Sequence, residues 1–221
     1  MVLTVDPLSV VLSIALAVVG GLLGLAADRF ATRWPEHDEE HPPGRAIDWR
    51  TAACGITGAV ALGLLPLRFG SDPLALVLFG AWFATLIVGL ATDLDQRLLP
   101  NELTLPVIPL ALLYAVSGAN PLVGTAVVLA VVAAIAIPAL LYLPSIPFGA
   151  GAFGIGDVKL LAGVGLMVGG ERSLGGVLFG LILAGVVLLV LLAARHISRR
   201  SYVPFGPFLI VGALWAVLIR A

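Results

Sequence analysis

The chain has 221 residues, of which 60% are hydrophobic and only 11% charged, with a formal net charge of -1. A soluble globule needs a polar surface that this composition cannot supply, so the chain reads as an all-α, polytopic membrane protein. The near-zero net charge says nothing about partners, because in such a chain the place of each Arg or Lys matters more than their sum. One helical crossing takes about 20 apolar residues, and about eight stretches qualify in chain order, at roughly 7–28, 52–68, 74–92, 103–117, 121–143, 157–170, 174–194 and 205–219.

The first stretch has no basic residue before it, and its first positive charge, Arg29, lies on its far side. It reads as a retained anchor with the N-terminus outside rather than as a secretory signal. Arg29, Arg33, Arg45 and Arg50 fall between the first and second stretches, Arg97 between the third and fourth, Lys159 at the turn from fifth to sixth, and Arg195, Arg199 and Arg200 between the last two. Only Arg68, Arg172 and Arg220 fall on the other side. The positive-inside bias therefore places the first group in the cytoplasm, in agreement with the outside N-terminus. Cys54, the single cysteine, sits in an apolar run, which excludes an intramolecular disulfide and a cysteine zinc cluster and leaves core packing.

Residues 28 to 51, "DRFATRWPEHDEEHPPGRAIDWRT", form the main polar stretch, a short cytoplasmic loop within what reads as a single domain over residues 1–221. Within it, His37, Glu40 and His41 have the H-x-x-E-H form of a zinc-peptidase signature, but Pro35, Pro42 and Pro43 leave little room for the helix that signature needs. The preferred reading is a solvated acidic loop with no metal. Its acids Glu36, Asp38, Glu39 and Glu40 are placed to attract a basic peptide.

The remaining acids are more informative. Asp93 and Asp95 close the third stretch and Asp157 opens the sixth, whereas Asp6, Asp72 and Glu171 fall in expected outer loops. Ionisable groups at membrane depth cost about 2.5–3.5 kcal/mol each on the insertion scale and usually mark function. Two crossings separate Asp93 from Asp157, so both return to the cytoplasmic boundary. Two carboxylates that share a site cannot both stay ionised. One then deprotonates water for attack on a peptide carbonyl while its protonated partner donates to the carbonyl oxygen, with no cofactor and no nucleophilic side chain. Gly154 and Gly156, lacking a Cβ, leave room for an extended substrate or simply allow tight helix entry. Asp93-Leu94-Asp95 also has the form of a D-x-D cation site, although no further carboxylates cluster nearby to complete one.

These stretches carry a resemblance. "GIGDVKLLAG" resembles the G-x-G-D segment of intramembrane aspartyl proteases, and its extension through Lys159 and Leu160 is similar to the type IV prepilin peptidases. "DLDQRLLPN" resembles that family's other signature, an aspartate followed seven and eight residues later by Pro100 and Asn101, and "YVPFGPFLIVGAL" resembles its segment opening the last helix. The resemblance implies that Asp93 and Asp157 are the catalytic pair, with Asp95 out of register. It implies an endopeptidase of the inner (plasma) membrane that removes the leader of type IV pilin-like precursors at the cytoplasmic side, cutting after a glycine and before the hydrophobic pilin helix. Gly154, Gly156, Lys159, Pro100 and Asn101 are candidate supporting or substrate-binding residues. Lys159 reads equally as a side chain reaching for lipid headgroups, and Pro100 and Asn101 as helix punctuation. The 144–156 loop, rich in Gly and Pro, is a candidate gate. Partners are pilin-like precursors and membrane lipids, with no nucleic acid.

One departure bears on activity. Bacterial members of the family often carry two pairs of cysteines in the first cytoplasmic loop, associated with zinc and with methylation of the new N-terminus. Residues 28–51 have none, so peptidase activity is expected and methyltransferase activity is not. Two other classes compete: a proton-coupled or cation-binding transporter, which would place acids near the bilayer midplane within inverted repeats, and an assembly subunit using the acids as interface ion pairs.

Overall fold

Apolar runs bounded by Pro, Gly and Asp become helices in the computed structural model, which describes residues 7–39, 41–148, 153–196 and 204–219. Among these residues the order is α1 (Pro7–Ala31), α2 (Trp49–Phe69), α3 (Pro73–Gln96), α4 (Asn101–Val116), α5 (Val127–Ser145), a single 3-10 turn at Ile146–Phe148, α6 (Ile155–Val168), α7 (Gly170–Ala193) and α8 (Gly206–Leu218), with no strand. Each expected apolar stretch coincides with one helix. Five of them, α1, α2, α3, α5 and α7, are long and apolar enough to cross a membrane, whereas α4, α6 and α8 have only 16, 14 and 13 residues. The chain is thus an all-helical, multi-pass membrane protein, and large apolar side chains such as Val11, Ile14, Ile182 and Leu189 stand exposed on α1 and α7, as contact with hydrocarbon requires.

The helices form two compact units, Met1–Leu103 and Thr104–Ala221. In the first, α1 and α2 pack through small residues. A Cβ on Gly20 would run into the carbonyl of Gly58, and one on Gly24 into the carbonyl of Cys54, so the backbones touch where side chains would hold them apart. Cys54 is fully buried at this seam, in keeping with a packing role. Helix α3 starts where Asp72 accepts a hydrogen bond from the Ala75 N–H at 3.0 Å and Pro73 supplies a preset backbone angle. Its aromatic face then packs on α2, with the rings of Phe69 and Phe79 stacked 4.7 Å apart.

In the second unit α6 is buried from Leu160 to Val168 except at Ala162, and α5 lies so close that a Cβ on Gly165 would meet the Ala134 backbone. Helices α7 and α8 approach through Gly176, Gly180 and Gly212, locked by Phe179 stacked on Trp215 at 4.8 Å. The start of α5 falls at Val127 rather than near residue 121. The cause is Asn120, whose buried side chain accepts from the N–H groups of Leu122 and Val123 at 2.9 and 3.3 Å and donates to the Met167 carbonyl at 3.0 Å. Such side-chain bonds compete with helix formation, and Gly124 completes the turn with φ +52°.

Candidate functional site

Asp93 lies in the last turn of α3 and is 5% exposed, next to the fully buried Thr92. The helix ends three residues later because Arg97 adopts a left-handed conformation, φ 56°, and returns its N–H to the Asp93 carbonyl at 3.0 Å. Side chains from elsewhere in the first unit hold this turn. Asp95 accepts from Arg45 Nε at 2.6 Å, faces the His37 ring at 3.3 Å and lies 3.6 Å from the Arg50 guanidinium. Gln96 donates to the carbonyls of Ala31 and Pro35 at 3.2 and 3.3 Å.

The same arginine reaches the other two helices. Arg45 Nη2 donates to Asp28 Oδ1 at 2.6 Å, and Arg45 Nη1 meets Asp48, the N-cap of α2, at 2.5 Å. Asp28, inside α1 and with no exposed surface, also accepts from Thr51 at 2.7 Å and from the neighbouring Arg29. Arg29 in turn donates to the Arg45 carbonyl at 2.9 Å. Burial opposes the charge on Arg45, but its hydrogen bonds to Asp95 and Asp28, with the fields of Asp28 and Asp48, outweigh that and hold its pKa above the ordinary guanidinium value. An open cavity of about 350 Å³, lined by His41, Pro42, Pro43, Gly44, Arg45, Arg50 and Asp95, adjoins the cluster.

The reading of residues 28–51 as a solvated loop holds for the acids Glu36, Asp38 and Glu39, which are exposed, and is corrected for His37 and Arg45. His37 and Arg45 turn inward because the buried carboxylates of Asp95 and Asp28 must be paired, and the Arg45 guanidinium in turn holds the half-buried Asp48. The zinc-peptidase form is also absent as geometry: residues 36–39 are not helical, the His37 ring is on Asp95, and the His41 ring bonds Asp38 at 3.0 Å. Glu40 lies outside the described residues, and among the described ones no group of three or more His, Cys, Asp and Glu could hold a metal. Sequence reasoning missed the Asp28–Arg45–Asp95 chain. Its one local signal was an aspartate, Asp28, embedded in the end of an apolar run.

In the second unit, Asp157 sits in the first turn of α6, half-buried. The Gly154 N–H donates to Asp157 Oδ2 at 3.3 Å, and a Cβ on Gly154 would stand 3.3 Å from the same oxygen. Glycine at 154 thus lets the backbone close on the carboxylate. Gly156 and Lys159 lie in the same helix, half-buried, with Lys159 about 200° around the axis from Asp157. Pro100, buried, directly precedes α4, and Asn101, exposed, is its first residue. Gly206 and Pro207 open α8, both buried. Asp6, Arg199, Arg200, Arg220, Tyr202, Val203 and residues 149–152 of the 144–156 loop lie outside the described residues. The structure thus joins Gly154 with Asp157 in one unit and Asp93 with the end of α3 in the other.

Comparison with known proteins bears on the same motifs. Residues 77–193 match the type IV leader peptidase family. The chain is 34% identical over 161 residues to the prepilin leader peptidase/N-methyltransferase of Aeromonas hydrophila, covering 73% of this chain and 53% of that protein. It is 33% identical over 156 residues to the protein of the same name from Burkholderia pseudomallei (strain 1026b), covering 71% and 50%, and 33% identical over 151 residues to that of Pseudomonas putida, covering 68% and 52%. The chain spans about half the length of these curated relatives. No solved structure matches it. The family match takes in more than half of the chain and contains both aspartate motifs, Asp93 to Asn101 and Gly154 to Gly163, so the chain belongs to the type IV leader peptidase family.

Proposed function

We propose that this protein removes the leader peptide of type IV pilin-like precursors, with Asp93 and Asp157 as its catalytic aspartates. The observation that carries the reading is the family match across both motifs. The close fit of Gly154 around the Asp157 carboxylate adds support, since it gives the glycine of that motif a physical reason. One ionised aspartate takes a proton from water, whose oxygen attacks the scissile carbonyl. The protonated partner donates to the carbonyl oxygen. On collapse the C–N bond breaks, the leaving nitrogen takes up the proton held by the first aspartate, and a hydroxyl proton of the diol returns to the second.

In this reading both units serve one peptidase domain of the inner (plasma) membrane, with eight crossings, the N-terminus outside and the aspartates at the cytoplasmic side, in accord with the distribution of Arg and Lys. The substrate's own apolar helix holds it in the bilayer and delivers its leader junction to that depth, with lipids around both. The relatives' names include N-methyltransferase, but residues 28–51 of this chain carry no cysteine, and our reading confines the activity to leader cleavage.

The test is to incubate the purified full chain with a pilin-like precursor in liposomes and take intact masses. The reading requires loss of the leader and an unmethylated new N-terminus. An uncut precursor contradicts the peptidase assignment, and a mass gain of one methyl group when S-adenosylmethionine is supplied contradicts its restriction to cleavage.

A further inference from the structure

The last turn of a helix has carbonyls without intrahelical partners and frays unless something outside holds it. Asp93 is in such a turn, four residues from the end of α3 by inclusive count, and the direction of its carboxylate follows the backbone there. That turn is held from outside at Asp95, by Arg45 at 2.6 Å and His37 at 3.3 Å, and at Gln96, by two carbonyls of the 31–35 segment. Arg45 is the centre of the arrangement. Its Nε is on α3 through Asp95, its Nη2 on α1 through Asp28, and its Nη1 on the cap of α2 through Asp48. Asp28 cannot yield, because Thr51 and Arg29 fix it from the other side.

A planar guanidinium with five donors can serve three carboxylates in three directions, which an ammonium on a flexible stem does not do with fixed geometry. Buried ion networks are poor sources of net stability, since charge desolvation consumes most of the Coulombic gain. Their value lies in a unique arrangement, and a reacting group misplaced by about 1 Å costs on the order of 100-fold in rate. We infer that Arg45 is a positioning residue: it locks the last turn of α3 to the ends of α1 and α2 and so aims the Asp93 carboxylate for leader cleavage. The inference rests on the proposed function for the reaction it serves, but the lock itself has a readout that needs no substrate.

The experiment compares the full chain with Arg45→Lys, Arg45→Met, the triple variant Asp28→Asn/Arg45→Met/Asp95→Asn, and the control Asp72→Ala, which loosens the opposite end of α3. Cleavage kcat and KM, amide exchange of residues 92–97 and the unfolding midpoint are measured on each. Arg45→Met is expected to lower kcat by about 10-fold or more with KM within about twofold, and to speed exchange at 92–97 relative to the rest of α3. Arg45→Lys should fall between it and wild type. The triple variant removes the lock without stranding Asp28 or Asp95 as buried charges and carries the same expectation if Arg45→Met fails to fold. Asp72→Ala should lower the midpoint and leave kcat and the 92–97 exchange unchanged. Unaltered exchange at 92–97, full kcat, or a loss confined to KM in the Arg45 variants overturns the inference. A wild type that cuts nothing sinks the proposed function instead, and the exchange measurement still decides whether Arg45 locks the turn.

Discussion

Arg45 donates through Nε to Asp95 at 2.6 Å across fifty positions of sequence, and Asp95 is two residues from Asp93 on α3. Asp95 therefore has a partner and a structural task of its own, which explains a second aspartate beside the proposed catalytic one without a D-x-D cation site. The far end of the same guanidinium fixes how costly the cluster is to disturb. Asp28 has no exposed surface and holds Arg45, Thr51 and Arg29 together, so Asp28→Ala strands buried donors and leaves Arg45 without one of its counter-charges. A loss of about 3–5 kcal/mol is expected, and clearly less for Asp28→Asn, whose amide oxygen still accepts from Thr51. Denaturant unfolding in detergent measures both; equal stability of Asp28→Ala and wild type would show that the cluster is solvated.

Gly154→Ala brings a Cβ to 3.3 Å from Asp157 Oδ2, close enough that the carboxylate must move by a few tenths of an ångström. Cleavage should fall by about 10-fold with little change in unfolding midpoint, because the strain is local to the acid. Gly185, where a Cβ meets nothing within 4 Å, is the control. Gly185→Ala should keep full activity and gain about 0.5–1 kcal/mol from reduced backbone entropy. Equal rates for the two variants would show that the carboxylate does not depend on the missing Cβ at 154.

The α1–α2 seam predicts a contrast between two nearby glycines. Gly24→Ala drives a Cβ into the Cys54 carbonyl and should cost about 1–3 kcal/mol as the backbones are forced apart, whereas Gly21→Ala finds an ordinary contact at 3.6 Å to Ala59 and should be tolerated. Thermal unfolding of the two variants side by side checks this, and similar midpoints would contradict the close approach.

The acids Glu36, Asp38 and Glu39 are exposed, with Glu40 beyond the described residues, and under the proposed function they attract a basic leader. Replacing all four by their amides should raise KM for a precursor with a basic leader several-fold at low ionic strength. The difference should vanish as salt shortens the Debye length to about 3 Å near 1 M. Cleavage kinetics in liposomes at both salt concentrations measure it; an unchanged KM and an unchanged salt dependence would end the proposal.

Helices were legible in the sequence because a membrane helix announces itself by hydropathy alone, without knowledge of its neighbours. The start of α5 was not, since the bond from Asn120 to Met167 that helps hold the preceding turn joins residues 47 apart. The motifs around Asp93 and Asp157 were legible as short local patterns, but the physical reason for Gly154 needed the backbone geometry around Asp157. The Arg45 network was illegible for a related reason. Its members lie 17 and 50 positions apart, and no local pattern distinguishes an arginine that faces water from one that turns in to meet a buried carboxylate. His37 was misread for the same reason, since a histidine in an acidic, proline-bounded stretch looks solvated until Asp95 appears beside it.

The most direct test of the aspartate pair is leader removal from a co-expressed pilin-like precursor, read by mass spectrometry with wild type, Asp93→Asn, Asp157→Asn and Asp95→Asn at matched membrane levels. Complete loss of cleavage is predicted in Asp93→Asn and Asp157→Asn, and retained cleavage in Asp95→Asn, whose amide oxygen still accepts from Arg45. Cleavage surviving in either of the first two variants would contradict the proposed pair.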